Sequence, residues 1–147
     1  MSRRLYVETS ALLRVLLDGD EALRPALSGE GLVTSALTFV EAARAVSRAR
    51  CESRLDAREA REAERQLAAF ERTCDVIALE DEVLRRARED LPEEPVRSLD
   101  AIHLASLRLL DDELGGVEVV SCDERVRRNA MALGFAVIPA STLHERE

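Results

Sequence analysis

At 147 residues, with 46% hydrophobic and 34% charged side chains, the chain is long enough for one domain with a real core and is composed like a soluble globular protein, not a disordered one. No apolar run approaches the ~20 residues of a membrane helix, and MSRRLYVETS lacks the apolar core of a signal peptide, so a cytoplasmic protein with no membrane association is expected. The net charge of −8 weighs against a broad nucleic-acid surface, yet all 21 basic residues are arginine, the better bidentate phosphate ligand, so a local basic rim remains open.

In chain order, Leu5, Tyr6 and Val7 read as a short buried strand that ends on Glu8 and turns at once into a helix, with Thr9 or Ser10 as the N-cap. DGDEALRPALSGEG reads as a short helix bounded by Gly19 and Gly29, and Leu32–Ser35 as a second strand. ALTFVEAARAVSRAR has a helical stripe of Ala36, Phe39, Val40, Ala43 and Val46. DAREAREAERQLAAFERT is a charge-dense helix with a solvated outer face. CDVIAL is a third strand and EDEVLRRARED a helix stopped by the prolines of LPEEPVR. SLDAIHLASLRLLDDEL is a long helix with Ser98 as its cap, GVEVVSC a fourth strand, DERVRRNAMALG a helix closed by Gly134, and FAVIP a last short strand. Alternating strands and helices predict a single domain over residues 1–147, with a central parallel sheet of four to five strands flanked by helices and a helical hairpin after the second strand.

Three cysteines without a CxxC pair predict reduced, buried thiols, not a disulfide framework or zinc site. The two histidines are far apart; His144 falls in a polar tail, and His103 suits a structural or supporting role better than metal ligation.

In a parallel sheet all strand C-termini point one way, so acids there can converge on one site. Glu8 follows the first strand and Asp123 the fourth, and each has an ordinary alternative: Glu8 as a solvated loop residue, and Asp123 within the capping box Ser121–Glu124. Asp100 shares a helix face with Leu104 and Leu107, where a carboxylate is costly unless paired or metal-bound, although a first-turn aspartate also complements the helix dipole. Glu41 sits at the flank of its apolar stripe and could simply pair with Arg44 or Arg48.

Taken together, YVETSALLRVLL, LTFVEAARAV, RSLDAIHLA and VVSCDERVRRNAMALGFAVI resemble the PIN-domain family, specifically the VapC-type toxins of bacterial toxin–antitoxin pairs, from about Leu5 to Ile138. The resemblance implies a PIN-like three-layer α/β sandwich and a metal-dependent ribonuclease. Its usual acids, Asp, Glu, Asp and Asp, fall on Glu8, Glu41, Asp100 and Asp123, with Ser121, Thr9 and Ser10 as supporting hydroxyls. Glu8 departs from the family's usual aspartate by one methylene, which matters where site geometry must hold to about 0.5 Å.

Such a cluster needs a cation to offset its repulsion, and oxygen-only ligation favours Mg²⁺ or Mn²⁺. Glu8, Asp100 and Asp123 are the expected metal ligands, with Glu41 completing the catalytic set as a ligand or by orienting water. Arg14, Arg44, Arg48 and Arg97 are candidate RNA contacts, and Arg127 and Arg128 could add to them. The resemblance further implies a cognate VapB-like antitoxin, an RNA substrate and a homodimer. The alternative is a catalytically weakened PIN-fold binding module that holds a partner protein or RNA without cleaving it. A phosphoacceptor receiver is excluded by the absence of lysine, and a dinucleotide-binding fold by the absence of G-x-G-x-x-G.

Overall fold

The computed structural model describes residues 3–140, so His144 lies outside the described residues. The chain runs β1 (Leu5–Val7), α1 (Thr9–Leu16), a 3₁₀ turn (Arg24–Leu27), β2 (Leu32–Ser35), α2 (Ala36–Cys51), α3 (Ala57–Thr73), β3 (Asp75–Ile77), α4 (Asp81–Arg86), α5 (Ser98–Leu114), β4 (Glu118–Val120), α6 (Glu124–Ala132) and β5 (Val137–Ile138). The five strands form one parallel sheet in the order β3-β2-β1-β4-β5. From β1 the chain builds outward through β2 and β3, then returns to place β4 on the other side of β1. The order therefore reverses between β1 and β4, where open α/β sheets leave a crevice at their C-terminal ends.

Strand alternation divides the core between the sheet's two faces. Leu5, Val7 and Val120 pack with Leu12 and Val15 of α1, Ala42 of α2, and Leu67 and Phe70 of α3. Tyr6, Val33 and Val119 face the other way, against Leu104, Leu107 and Leu110 of α5 and Val126 and Ala130 of α6. Each fully buried Val or Leu contributes about 1.5–3 kcal/mol, so these two layers hold the central strands in register. Leu5 pairs with both Leu32 and Glu118, and Val7 with Val120. The α2–α3 hairpin expected from the sequence forms, with Val46, Ala60 and Ala63 buried together between the two helices.

Several local expectations need correction. The N-cap of α1 is Glu8, not Thr9 or Ser10: its carboxylate accepts from the Ser10 amide, because it emerges from β1 aimed back over the first turn. Arg97 holds the N-cap position of α5 without a side-chain bond, and Ser98 is the first helical residue. DGDEALRPALSGEG yields only the 3₁₀ turn with Pro25 near its start, and α4 ends at Arg86, ahead of the prolines. On α2 the buried residues are Leu37, Thr38, Ala42, Val46 and Ala49, and Val40 is 60% exposed. The helix is rotated from its purely apolar stripe because Thr38 enters a buried hydroxyl network with Thr34 and Thr9. The cysteines carry no disulfide, but they are not buried either: Cys51 is exposed and Cys74 and Cys122 are half-buried.

Candidate active site

The β1–β4 crevice is closed by hydrogen bonds that continue both strands past their ends. The Glu8 amide donates to Val120 O at 3.0 Å, which fixes the acid at the switch point. Its Oε2 accepts from the Ser10 amide at 2.8 Å, from Ser121 Oγ at 3.2 Å, and from the Ser10 hydroxyl. Ser10 Oγ in turn accepts from the Cys122 amide at 2.8 Å, and Ser121 Oγ from the Asp123 amide at 3.1 Å. The supporting hydroxyls therefore lace the start of α1 to the end of β4. Glu8 is only 4% exposed, and burial pushes its carboxyl above the ordinary glutamate range; the nearby His103 and the Ser10 hydrogen bonds oppose, while the Asp123 charge adds to it.

Asp123 is the N-cap of α6, with Oδ1 accepting from the Val126 amide at 3.1 Å, so the capping role belongs to the aspartate and not to a Ser121–Glu124 box. Asp100, in the first turn of α5, is buried, and its pKa is raised by burial first and then by the charge of Asp123. Arg97 stands between these two acids: its Nε donates to Asp100 Oδ2 at 3.2 Å, and a terminal nitrogen lies 3.7 Å from Asp123 Oδ2.

Glu41 pairs with neither Arg44 nor Arg48. Its Oε1 lies 2.6 Å from Nε2 of the buried His103 and accepts from Thr9 Oγ1 at 2.7 Å. Burial works against its charge, but the His103 and Thr9 hydrogen bonds win and hold it below the usual carboxylate range. His103 Nδ1 faces the Tyr6 hydroxyl at 2.8 Å. Burial lifts the Tyr6 phenol well above its ordinary range, with the Glu8 charge adding to the effect.

All four acids line one groove of about 510 Å³, together with Arg44, Arg48 and Arg97. Arg14 is not part of that lining. Arg127 offers nothing to a surface ligand. It is 2% exposed and donates to Ser121 O at 2.8 Å and to Pro139 O, tying the end of β4 to the segment after β5, whereas Arg128 is exposed.

Among the described residues no three acidic, histidine or cysteine side chains are gathered tightly enough to hold a metal ion. The reasons are local: Glu8 is folded onto its hydroxyl donors, and Arg97 supplies the positive charge between Asp100 and Asp123. The donor chemistry still fits a hard cation. Four carboxylates face one groove, and the two most buried are held above their ordinary pKa by desolvation and by a neighbouring negative charge. That is the condition a divalent ion relieves.

Sequence reasoning missed the Tyr6–His103–Glu41 chain and the Arg97 bridge. The first left a signal in the single tyrosine, Tyr6, within a buried strand and in a histidine one turn from Asp100; the second had only proximity in sequence.

Residues 5–131 match the model of the PIN domain family. The chain is 34% identical over 141 residues to Ribonuclease VapC46 of Mycobacterium tuberculosis (strain ATCC 25618 / H37Rv), covering 93% of this chain and 98% of that protein. Among solved structures it superposes on a toxin–antitoxin complex from Klebsiella pneumoniae with a TM-score of 0.63 at 17% identity, covering 95% of this chain and 99% of that one. It also superposes on VapBC2 from Rickettsia felis, bound to a DNA fragment from their promoter, with a TM-score of 0.60 at 10% identity over 90% of this chain and 96% of that one.

Proposed function

Because the chain belongs to the PIN-domain family, we propose that it is a VapC-type ribonuclease, a metal-dependent hydrolase of RNA phosphodiester bonds. The observation that supports this best is the convergence of Glu8, Glu41, Asp100 and Asp123 on one groove at the sheet's switch point. Glu8, Asp100 and Asp123 would hold Mg²⁺ or Mn²⁺, and Glu41 would complete the catalytic set. When bound, the cation offsets the acids' repulsion, lowers the pKa of water and neutralises charge growing on the phosphate.

The chain's own residues do the rest. Ser10 and Ser121 hold Glu8 by hydrogen bonds that it must loosen to meet a cation in the groove. Thr9 and His103 keep Glu41 ionised, the form needed to orient water or bind a cation. Arg97, with a side chain 71% exposed, can leave the acids and meet a phosphate, and Arg44 and Arg48 extend a basic rim along the groove. The same acidic groove suits an arginine carried by a VapB-like antitoxin, the expected inhibitor. A homodimer and a cytoplasmic location complete this reading; no helix among the described residues is long and apolar enough to cross a membrane.

A second reading, a PIN-fold binding module without cleavage, is favoured by one arrangement: Glu8 is occupied as a helix cap while Arg97 occupies Asp100 and Asp123. Incubation of the antitoxin-free protein with RNA in Mn²⁺, Mg²⁺ and EDTA, beside Asp100→Asn, separates the two. Cutting that requires metal and Asp100 supports the ribonuclease; tight partner or RNA binding with no cutting in excess Mn²⁺ supports the module.

A further inference from the structure

Glu41 is the only one of the four groove acids to contact a histidine among the described residues, and that histidine is almost fully enclosed, at 1% exposure. The contacts come from elements far apart in sequence. Tyr6 of β1 reaches His103 of α5 at 2.8 Å, His103 reaches Glu41 of α2 at 2.6 Å, and Thr9 of α1 reaches the same glutamate oxygen at 2.7 Å.

Between the two neutral tautomers, proton accounting selects one arrangement. A tyrosine hydroxyl keeps its proton at neutral pH and can donate it, so Tyr6 can donate to Nδ1 and leave the imidazole proton on Nε2. That proton then faces Glu41 Oε1. The opposite tautomer would set the bare Nε2 lone pair 2.6 Å from a carboxylate oxygen, a repulsive contact too short for a water to fit between the groups. Both donors, His103 Nε2–H and the Thr9 hydroxyl, fall on Oε1. Oε2 has no hydrogen-bond partner among the described residues, so the glutamate is anchored by one oxygen and keeps the other for a ligand of the groove.

We propose that His103, fixed as its neutral Nε2–H tautomer by Tyr6, is a positioning residue that holds Glu41 by Oε1 and so presents Oε2 to the groove. Its effect on turnover rests on the ribonuclease reading; its geometry does not. The network also gives a partner to a buried histidine and a buried tyrosine that lie against a largely apolar layer. A merely space-filling histidine would need neither an Nε2 donor nor a fixed tautomer.

The test uses ¹⁵N-labelled, metal-free, full-length protein, in which long-range imidazole spectra report which ring nitrogen carries the proton. Only two histidines contribute signals, and His103→Gln identifies which set is lost. Wild type should show Nε2 protonated and Nδ1 bare, and Tyr6→Phe, which removes one hydroxyl from a buried ring, should show a mixture of tautomers. In RNA cleavage, Tyr6→Phe and His103→Asn should each lower kcat about 10–100-fold, the usual cost of losing a partner that orients a ligand, with KM unchanged. His103→Gln should retain activity within a few fold, because the glutamine amide stands where Nε2 stood, whereas asparagine reaches only the Nδ1 position. A protonated Nδ1 in wild type, whether in the other tautomer or in the cation, would overturn the proposal. So would equal impairment of the Gln and Asn variants. If wild type cuts no RNA, the ribonuclease reading falls, and the imidazole spectra of wild type and Tyr6→Phe still decide whether the tautomer is held as proposed.

Discussion

Glu8 carries two demands that pull in opposite directions. As the cap of α1 it accepts the Ser10 amide, and as the metal ligand proposed above it would have to be free to meet a cation. Its carboxylate folds back onto three donors while remaining in the groove lining. The cost is a pKa raised by burial, and the sign of the resulting pH dependence follows from linkage. A carboxyl whose folded pKa lies above its unfolded one binds protons more tightly in the folded state, so its stabilising contribution is present below the unfolded pKa and is lost as pH rises through the folded value. Glu8 and Asp100 both have this sign, and Glu41 the opposite one. Metal-free wild type should therefore lose Tm relative to Glu8→Gln as pH climbs from about 4, the unfolded glutamate range, and Mn²⁺ should abolish that loss. Parallel Tm–pH curves for the two proteins would contradict it. Arg97 is the competing cation. Its exposure limits the pair to about 0.2–1 kcal/mol, so Arg97→Gln should tighten Mn²⁺ binding by up to about fivefold in calorimetry while weakening RNA binding. The acids were legible residue by residue because each lies in a recognisable local segment. Their hydrogen-bond partners were not, because Glu8–Ser121 and Tyr6–His103 are separated by 113 and 97 residues and only the sheet order brings them together.

At the scale of elements, helix starts do double service as site builders. α1, α5 and α6 begin at Glu8, beside Asp100 and at Asp123 respectively. Because asparagine caps helices about as well as aspartate, Asp123→Asn should leave stability nearly unchanged, whereas Asp123→Ala should lose about 1 kcal/mol. Both should lose cleavage. Urea unfolding beside the nuclease assay would separate the cap from the charge, and equal destabilisation by the two variants would contradict the capping role. Gly31 is a purely structural counterpart: it enters β2 at φ +75°, and a Cβ there would collide with the Arg3 carbonyl. Gly31→Ala should destabilise by more than about 1 kcal/mol in the same unfolding experiment. Most element positions could be read from periodicity and punctuation. The rotation of α2 could not, because an apolar stripe count favours Val40 over Thr38. The buried hydroxyl network with Thr34 and Thr9 decides otherwise and leaves Val40 at the mouth of the groove.

For the molecule as a whole, strand order does what no single segment could. Placing β4 beside β1 converts four acids scattered from residue 8 to residue 123 into one groove, and it sets them beside arginines despite a net charge of −8. The parallel sheet was legible in the alternation of strands and helices, but the order of the strands depends on how the two core layers pack and is not encoded in any local pattern. The claim at the centre of this account is that these acids, borne by separate elements, act as one cation site. Calorimetric titration of metal-free wild type and Asp100→Asn with Mn²⁺ tests it most directly. Wild type should bind, and Asp100→Asn should bind at least about tenfold more weakly, the scale on which metal affinity falls when a site is disturbed. Equal affinities, or no binding by either protein, would contradict it.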